Sequence, residues 1–306
     1  MLALLLPLAV VSAWFGPVVL IAAVLSALAA HAVDRGLQHA RGLKTRSQLA
    51  SAPTIAALLC VLSLPPSAPL WLPMLAAMLG VALGRHLLTR DGQALVNSAM
   101  LGVVLVLVWL PRTATDWSAP AFGDIATWQA NLTAAFNWTP DFDQGAGVTP
   151  LDRWRTGLDL GLTLRDLQTT APPGNQLAMA LTIASLIGGL ALLARGLIRW
   201  QIPVALLSGV CVASTALLAI DADRFASPWF HLTHGGVMLA AWFILSDPGS
   251  APRGVRAIWW SGLIAGALIV LMRSFGEYAD GVAFAVLAVN LLRPLLSRGE
   301  HAALGR

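Results

Sequence analysis

Hydrocarbon dominates this chain to a degree that leaves few architectures open. Ten apolar stretches follow one another at about 1–13, 18–33, 52–64, 70–88, 94–110, 176–194, 202–219, 230–246, 257–272 and 281–296, separated by short elbows of proline, glycine and charge. A bilayer is crossed by about 20 apolar residues in a helix, and its interior accepts only segments that satisfy their own backbone hydrogen bonds. The expected fold is therefore an all-α polytopic membrane protein of about ten transmembrane helices. The shorter stretches, notably the first and third, are expected to be tilted, extended by polar flanks, or broken inside the bundle. Composition agrees, with 57% hydrophobic and 11% charged residues and a mean hydropathy of +0.74; soluble domains carry roughly a quarter charged residues.

The same pattern excludes several functions. A pI near 10 could suggest nucleic acid, but the basic residues lie scattered in short loops beside apolar stretches, where orientation signals sit. No nucleic-acid partner is expected. Cys60 and Cys211 stand alone in apolar runs without Cys-x-x-Cys spacing, so no metal or iron–sulfur centre is expected. His231 and His234 read as polar residues at a helix end, because one imidazole pair without carboxylate or thiolate support is weak metal chemistry. No triad, phosphate loop or zinc spacing appears. The first stretch lacks a basic leader and a cleavage site, and reads as a span instead of a signal peptide.

Charge orients the chain. With the N-terminus cytoplasmic, 13 of the 19 Lys and Arg residues fall on the inner side, as the positive-inside rule requires. Both termini are then cytoplasmic, and the polar stretch from 111 to 175 is outside. An internal repeat supports the count. Leu62-Ser-Leu-Pro-Pro-Ser-Ala-Pro69 matches Leu245-Ser-Asp-Pro-Gly-Ser-Ala-Pro252 at six of eight positions, each followed by an apolar span, an arginine (Arg85, Arg273) and an Asp-Gly step. Five spans per half is odd, so the copies are expected as two inverted five-helix repeats, 1–110 and 176–306, flanking the 111–175 loop. The alternative is that Ser/Pro/Ala turns recur through biased composition alone.

Several polar residues interrupt the hydrocarbon and each admits two readings. Asp247 lies at a span end beside Pro248 and Gly249, as an ordinary loop carboxylate or as an acceptor for a bound ligand. Asn97 has the same duality. Arg273, Glu277 and Asp280 flank the last outer turn, either as an exposed ion-pair cluster of little weight or with Arg273 turned to a phosphate. The outer loop interleaves Trp117, Trp128, Trp138 and Trp154 with Asp and Gly, most simply as interfacial anchors. It contains Asp143-Gln-Gly-Ala-Gly147-Val-Thr149-Pro-Leu.

These residues carry a resemblance. The C-terminal stretch from Asp247 to Leu296, with Ala3-Leu-Leu-Leu-Pro7, Leu64-Pro-Pro-Ser-Ala-Pro-Leu-Trp71 and Trp200-Gln-Ile-Pro203, resembles the D subunit of the Rnf ion-translocating electron-transport complex, a family shared with the B subunit of sodium-translocating NADH:quinone reductase. Asp143, Gly147, Thr149, Pro150 and Leu151 occupy the places of that family's flavinylation motif, where a flavin transferase attaches FMN to threonine through a phosphoester. The resemblance thus implies covalent FMN on Thr149, in a solvated loop, with Asp247 and Asn97 near a second, non-covalent flavin, riboflavin; on the functional reading of Arg273, the phosphate it turns to is that of this tethered FMN. Ala146 and Val148 depart from the motif. The stretch Gly92-Gln-Ala-Leu-Val-Asn97-Ser-Ala-Met100 lacks two prolines usual in the family, and no acidic residue lies between Asp166 and Asp221 where a glutamate is expected.

The implied function is a bacterial inner-membrane subunit relaying electrons between flavins, coupled to cation transport, without acid–base catalysis of its own. Its partners would be membrane lipid, other membrane subunits and a periplasm-facing FMN subunit. A secondary transporter shares the inverted-repeat signature, and a scaffold subunit without flavin fits the departures.

Overall fold

Each of the ten apolar stretches is helical in the computed structural model, which describes residues 1–42, 51–90, 93–137, 149–162, 167, 174–252 and 254–296. Among the described residues, four helices are long and apolar enough to cross a membrane, Val18–Ala40, Asn175–Ala194, Gln201–Ile220 and Val255–Phe275, and five shorter apolar helices accompany them. The chain divides into two compact units, Met1–Val148 and Thr149–Arg306.

The first unit runs α1 (Leu5–Phe15), α2 (Val18–Ala40), α3 (Ala52–Ser63), α4 (Trp71–Leu79), α5 (Ser98–Trp109), α6 (Pro111–Thr115) and α7 (Ile125–Asn137). Helix α4 continues as a π-helical stretch over Gly80–Leu87, followed by a two-residue antiparallel pair, Thr89–Arg90 with Gln93–Ala94. Small residues set its packing. A Cβ on Gly102 would collide with the Ala76 carbonyl, and one on Gly80 with that of Ser98, so α4 and α5 meet backbone to backbone. Where α2 meets the π-helical stretch, the buried Asp34 takes Arg85 Nε and His86 Nε2 on Oδ1, each at 2.8 Å, and Gln38 Nε2 on Oδ2. A carboxylate so placed is tolerated because its oxygens are occupied.

Helices α6 and α7 lie in the polar segment that hydropathy leaves blank. Helix α7 docks on the α1–α2 elbow, with the Trp128 ring against Gly16 and Asn131 Nδ2 donating to the Phe15 carbonyl at 3.1 Å. Gly16 sits at φ 89°, in the left-handed region, and a Cβ there would also strike the indole.

The second unit runs α8 (Pro150–Asp159), α9 (Asn175–Ala194), α10 (Gln201–Ile220), α11 (Pro228–Thr233), α12 (Val237–Leu239, continued as a π-helical stretch over Ala240–Ile244), α13 (Val255–Phe275) and α14 (Val282–Leu296). Helices α10 and α13 approach through Gly209, Gly262 and Gly266, each of which faces backbone of the facing helix. Trp242, on the π-helical stretch, lies against Gly189 of α9, where any Cβ would collide with the ring. The apolar stretch 230–246 is a broken helix, interrupted at His234-Gly235-Gly236, with Gly235 at φ 70°. That interruption places a polar cluster inside the unit.

Candidate functional site

The cluster is organised by Arg273 in the last turn of α13, a position where a cation complements the helix dipole. Its residue exposure is 1%, so desolvation is tolerable only if its donors are used. Nη1 donates to the His231 carbonyl and Nη2 to that of His234, both at 2.9 Å, closing the broken end of α11. Nη2 and Nε also reach Asp280 Oδ1 at 2.9 and 3.3 Å, and Asp280 Oδ2 accepts the Gly236 N–H at 2.6 Å. One arginine and one carboxylate therefore satisfy much of the backbone that the helix break leaves open, and Thr182 Oγ1 donates to the Thr233 carbonyl at 3.0 Å. Gly235 is required here sterically as well, since a Cβ would meet Arg273, Leu151 and Asp280 together.

Helix α8 rests on this floor. Leu151 and Trp154 are buried, and the Trp154 ring is tilted against Phe230 and edge-on to His231, at centroid distances of 5.7 and 5.6 Å. His234 stacks on Phe230 at 4.4 Å and its Nε2 lies 3.1 Å from Asn175 Oδ1 at the start of α9. Trp154 Nε1 and His231 Nδ1 are buried polar atoms without a hydrogen-bond partner.

Thr149 is the N-cap of α8. It is extended at φ −62°, ψ 156°, its Oγ1 accepts the Asp152 backbone N–H at 3.1 Å, and its hydroxyl donates to the Asp152 carboxylate. Pro150 at the first helical position, a Thr cap and an acidic residue three positions later make a helix start legible in local chemistry. Burial holds the Asp152 carboxyl above the ordinary range, against the hydrogen bonds from Thr149 and the charge of Arg155; Asp280 adds a smaller push in the same direction as burial.

The sequence-derived residues thus fall in different settings. Thr149 and Arg273 share one cluster in the second unit, tied through Leu151 and Asp280. Asp143 and Gly147 lie outside the described residues. Asp247, also in the second unit, accepts the Ser250 hydroxyl at 3.2 Å within its elbow, while Asn97, buried in the first unit, caps α5 by accepting the Met100 N–H at 3.0 Å. Two expectations are corrected. Arg273 is not part of an exposed ion-pair cluster, because the break in α11 supplies carbonyls for it to bury against. Thr149 is not a plain solvated loop residue, because Pro150 to Asp159 is helical and uses it as a cap. Asp152 and His231 were missed as members of the cluster. The Thr-x-x-Asp spacing was the available signal for Asp152; none exists for His231, which is buried with Trp154 edge-on to its ring.

A sequence profile of the NQR2, RnfD, RnfE family matches residues 1–303. The chain is 37% identical over 292 residues to the D subunit of the ion-translocating oxidoreductase complex of Cronobacter sakazakii, covering 90% of this chain and 83% of that protein. It is 37% identical to the corresponding protein of Citrobacter koseri, with coverage of 90% and 83%. Identity to that of Aeromonas salmonicida is 34%, with coverage of 92% and 85%. The chain belongs to the NQR2, RnfD, RnfE family.

Proposed function

We propose that this chain is a multi-pass subunit of an ion-translocating oxidoreductase complex in a bacterial inner membrane, and that it carries FMN as a phosphoester on Thr149. The observation that carries the reading is the placement of that hydroxyl at the N-terminus of α8. Amide dipoles there favour an anion, and Arg153 and Arg155 lie on the same helix. The residues present fit a phosphoester. Arg273 supports from beneath, by fixing the α11 break on which Leu151 and Trp154 rest, since its donors are already directed at Asp280 and two carbonyls.

The flavin, when attached, would supply one- and two-electron redox chemistry. The chain's own part is to anchor it at one distance from its redox neighbours, to shield the polar floor from water and to offer no acid or base to the flavin ring. Asp247 and Asn97 remain the proposed neighbours of a riboflavin. Each of the two proline-rich elbows leads into a helix with an arginine near its end, Arg85 paired with Asp34 and Arg273 with Asp280; Asp34 precedes its elbow whereas Asp280 follows its own, so the carboxylates do not correspond and the inverted-repeat reading rests on the elbows and arginines alone. Other membrane subunits, a periplasm-facing FMN subunit and a flavin transferase are the proposed partners.

The test is in-gel flavin fluorescence of denatured protein expressed with its transferase and native partners, followed by peptide mass analysis. Wild type should fluoresce, with FMN on the peptide containing Thr149, and Thr149→Val should not. Wild-type protein without covalent flavin would turn the assignment toward a flavin-free scaffold, and isolation as a monomer that takes up solute would turn it toward a transporter.

A further inference from the structure

Capping explains only half of what Asp152 does to Thr149. An N-cap threonine needs its oxygen as an acceptor, and the Asp152 N–H supplies that contact. The carboxylate at this position of a capping box ordinarily reaches back to the N-cap backbone N–H. Here it instead receives the proton of the threonine hydroxyl itself. The carboxylate is held there although burial and the Asp280 charge both oppose its ionised form, which makes it a stronger base than an exposed aspartate.

We propose that Asp152 is the proton acceptor when Thr149 is modified. The inference rests on the reading of Thr149 as the attachment site. In the step, Thr149 Oγ1 attacks the phosphorus of a flavin dinucleotide, whose phosphoanhydride provides the activated phosphoryl group. The Oγ1–P bond forms, the anhydride P–O bond breaks, and the nucleoside monophosphate leaves with its electron pair. The hydroxyl proton passes to Asp152 Oδ2, and nothing is oxidised or reduced. The outcome is also electrostatically consistent. The new phosphodiester brings a negative charge to the start of α8, and a neutral Asp152 removes the like-charge contact and can donate to a phosphate oxygen. Facing Asp152 are Arg155 from its own helix and Asp280 from the turn after α13, with Arg273 bound to Asp280, and with His231 of α11 and His234 just past its end beside that arginine.

The experiment measures the initial rate of covalent flavin incorporation into the full chain in detergent, with purified flavin transferase and flavin adenine dinucleotide, from mildly acidic to mildly alkaline pH. Asp152→Asn keeps the backbone N–H that caps Thr149, so its melting should match wild type. Its incorporation should slow about 100-fold, the usual scale for a lost general base, and should lose the fall on acidification that wild type shows relative to it. Asp152→Glu should restore part of the rate and the pH dependence. An Asn variant labelled at the wild-type rate overturns the proposal, as does a slowing with an unchanged pH profile that Glu does not rescue. Wild type that takes up no flavin fails differently, removing the Thr149 assignment and this inference with it.

Discussion

Burying a guanidinium is tolerated when its donors find partners, and at Arg273 the partners are the carbonyls left open by the α11 break and the Asp280 carboxylate. Arg273→Met should therefore cost about 2–4 kcal/mol, from unsatisfied buried carbonyls and a weakened turn. Arg273→Lys should recover little of it, because an ammonium cannot span the same fork. Asp280→Asn should be milder, since the Asp280 side chain is 35% exposed and an amide oxygen can still accept from Gly236. Thermal melting in one detergent ranks the three, and an Arg273→Lys variant as stable as wild type would sink this account. At Thr149 the cap predicts that Thr149→Val costs about 1 kcal/mol and that Thr149→Ser keeps both the cap and the hydroxyl. The same melts check it. At this scale the sequence showed which charges interrupt the hydrocarbon but not which way they turn. Arg273 stood out by its neighbours' hydropathy, yet its burial follows from a helix break forty residues away.

Among the elements, hydropathy located the long apolar helices because bilayer-length runs leave a signal no turn chemistry obscures. It passed over α6, α7 and α8, whose apolar faces are short and interleaved with Thr, Asn, Asp and Arg. Their order comes from docking, as with Trp128 on Gly16 and Trp154 on Phe230, which no window average registers. How closely two helices approach was likewise hidden, because one glycine reads like another. Gly102 and Gly36 separate the cases. A Cβ at Gly102 would collide with the Ala76 carbonyl, whereas nothing lies within 4 Å of one at Gly36, on an exposed part of α2. Gly102→Ala should force α4 and α5 apart and lose about 1–3 kcal/mol. Gly36→Ala should hold or raise stability by about 0.4–1 kcal/mol through the entropy of the unfolded chain. Parallel melts of both variants decide it, and an equal response would remove close helix contact as the cause.

For the whole molecule, the decisive physical quantity is where the charges sit relative to the bilayer. Arginine and lysine crossing with a loop are penalised far more than carboxylates, which is why the basic residues between 34 and 50 should hold that segment in the cytoplasm. The segment from 112 to 173 carries four basic residues, Arg112, Arg153, Arg155 and Arg165, against seven aspartates and four tryptophans. It should lie outside. This orientation would place Thr149, Asp152, Arg273 and Asp280 on one side of the membrane, and Asp34, Arg85, His86 and Asp247 on the other. The proposed attachment depends on it, because a transferase confined to one compartment could label only a hydroxyl exposed there. Fusions of a periplasm-active phosphatase and a cytoplasm-active fluorescent reporter at residues 42 and 120 should give opposite signals, fluorescent at the first and phosphatase-positive at the second. A fluorescent report at residue 120 would reverse the bundle and put Thr149 out of reach of a periplasmic enzyme, leaving its cap on α8 as a structural feature alone.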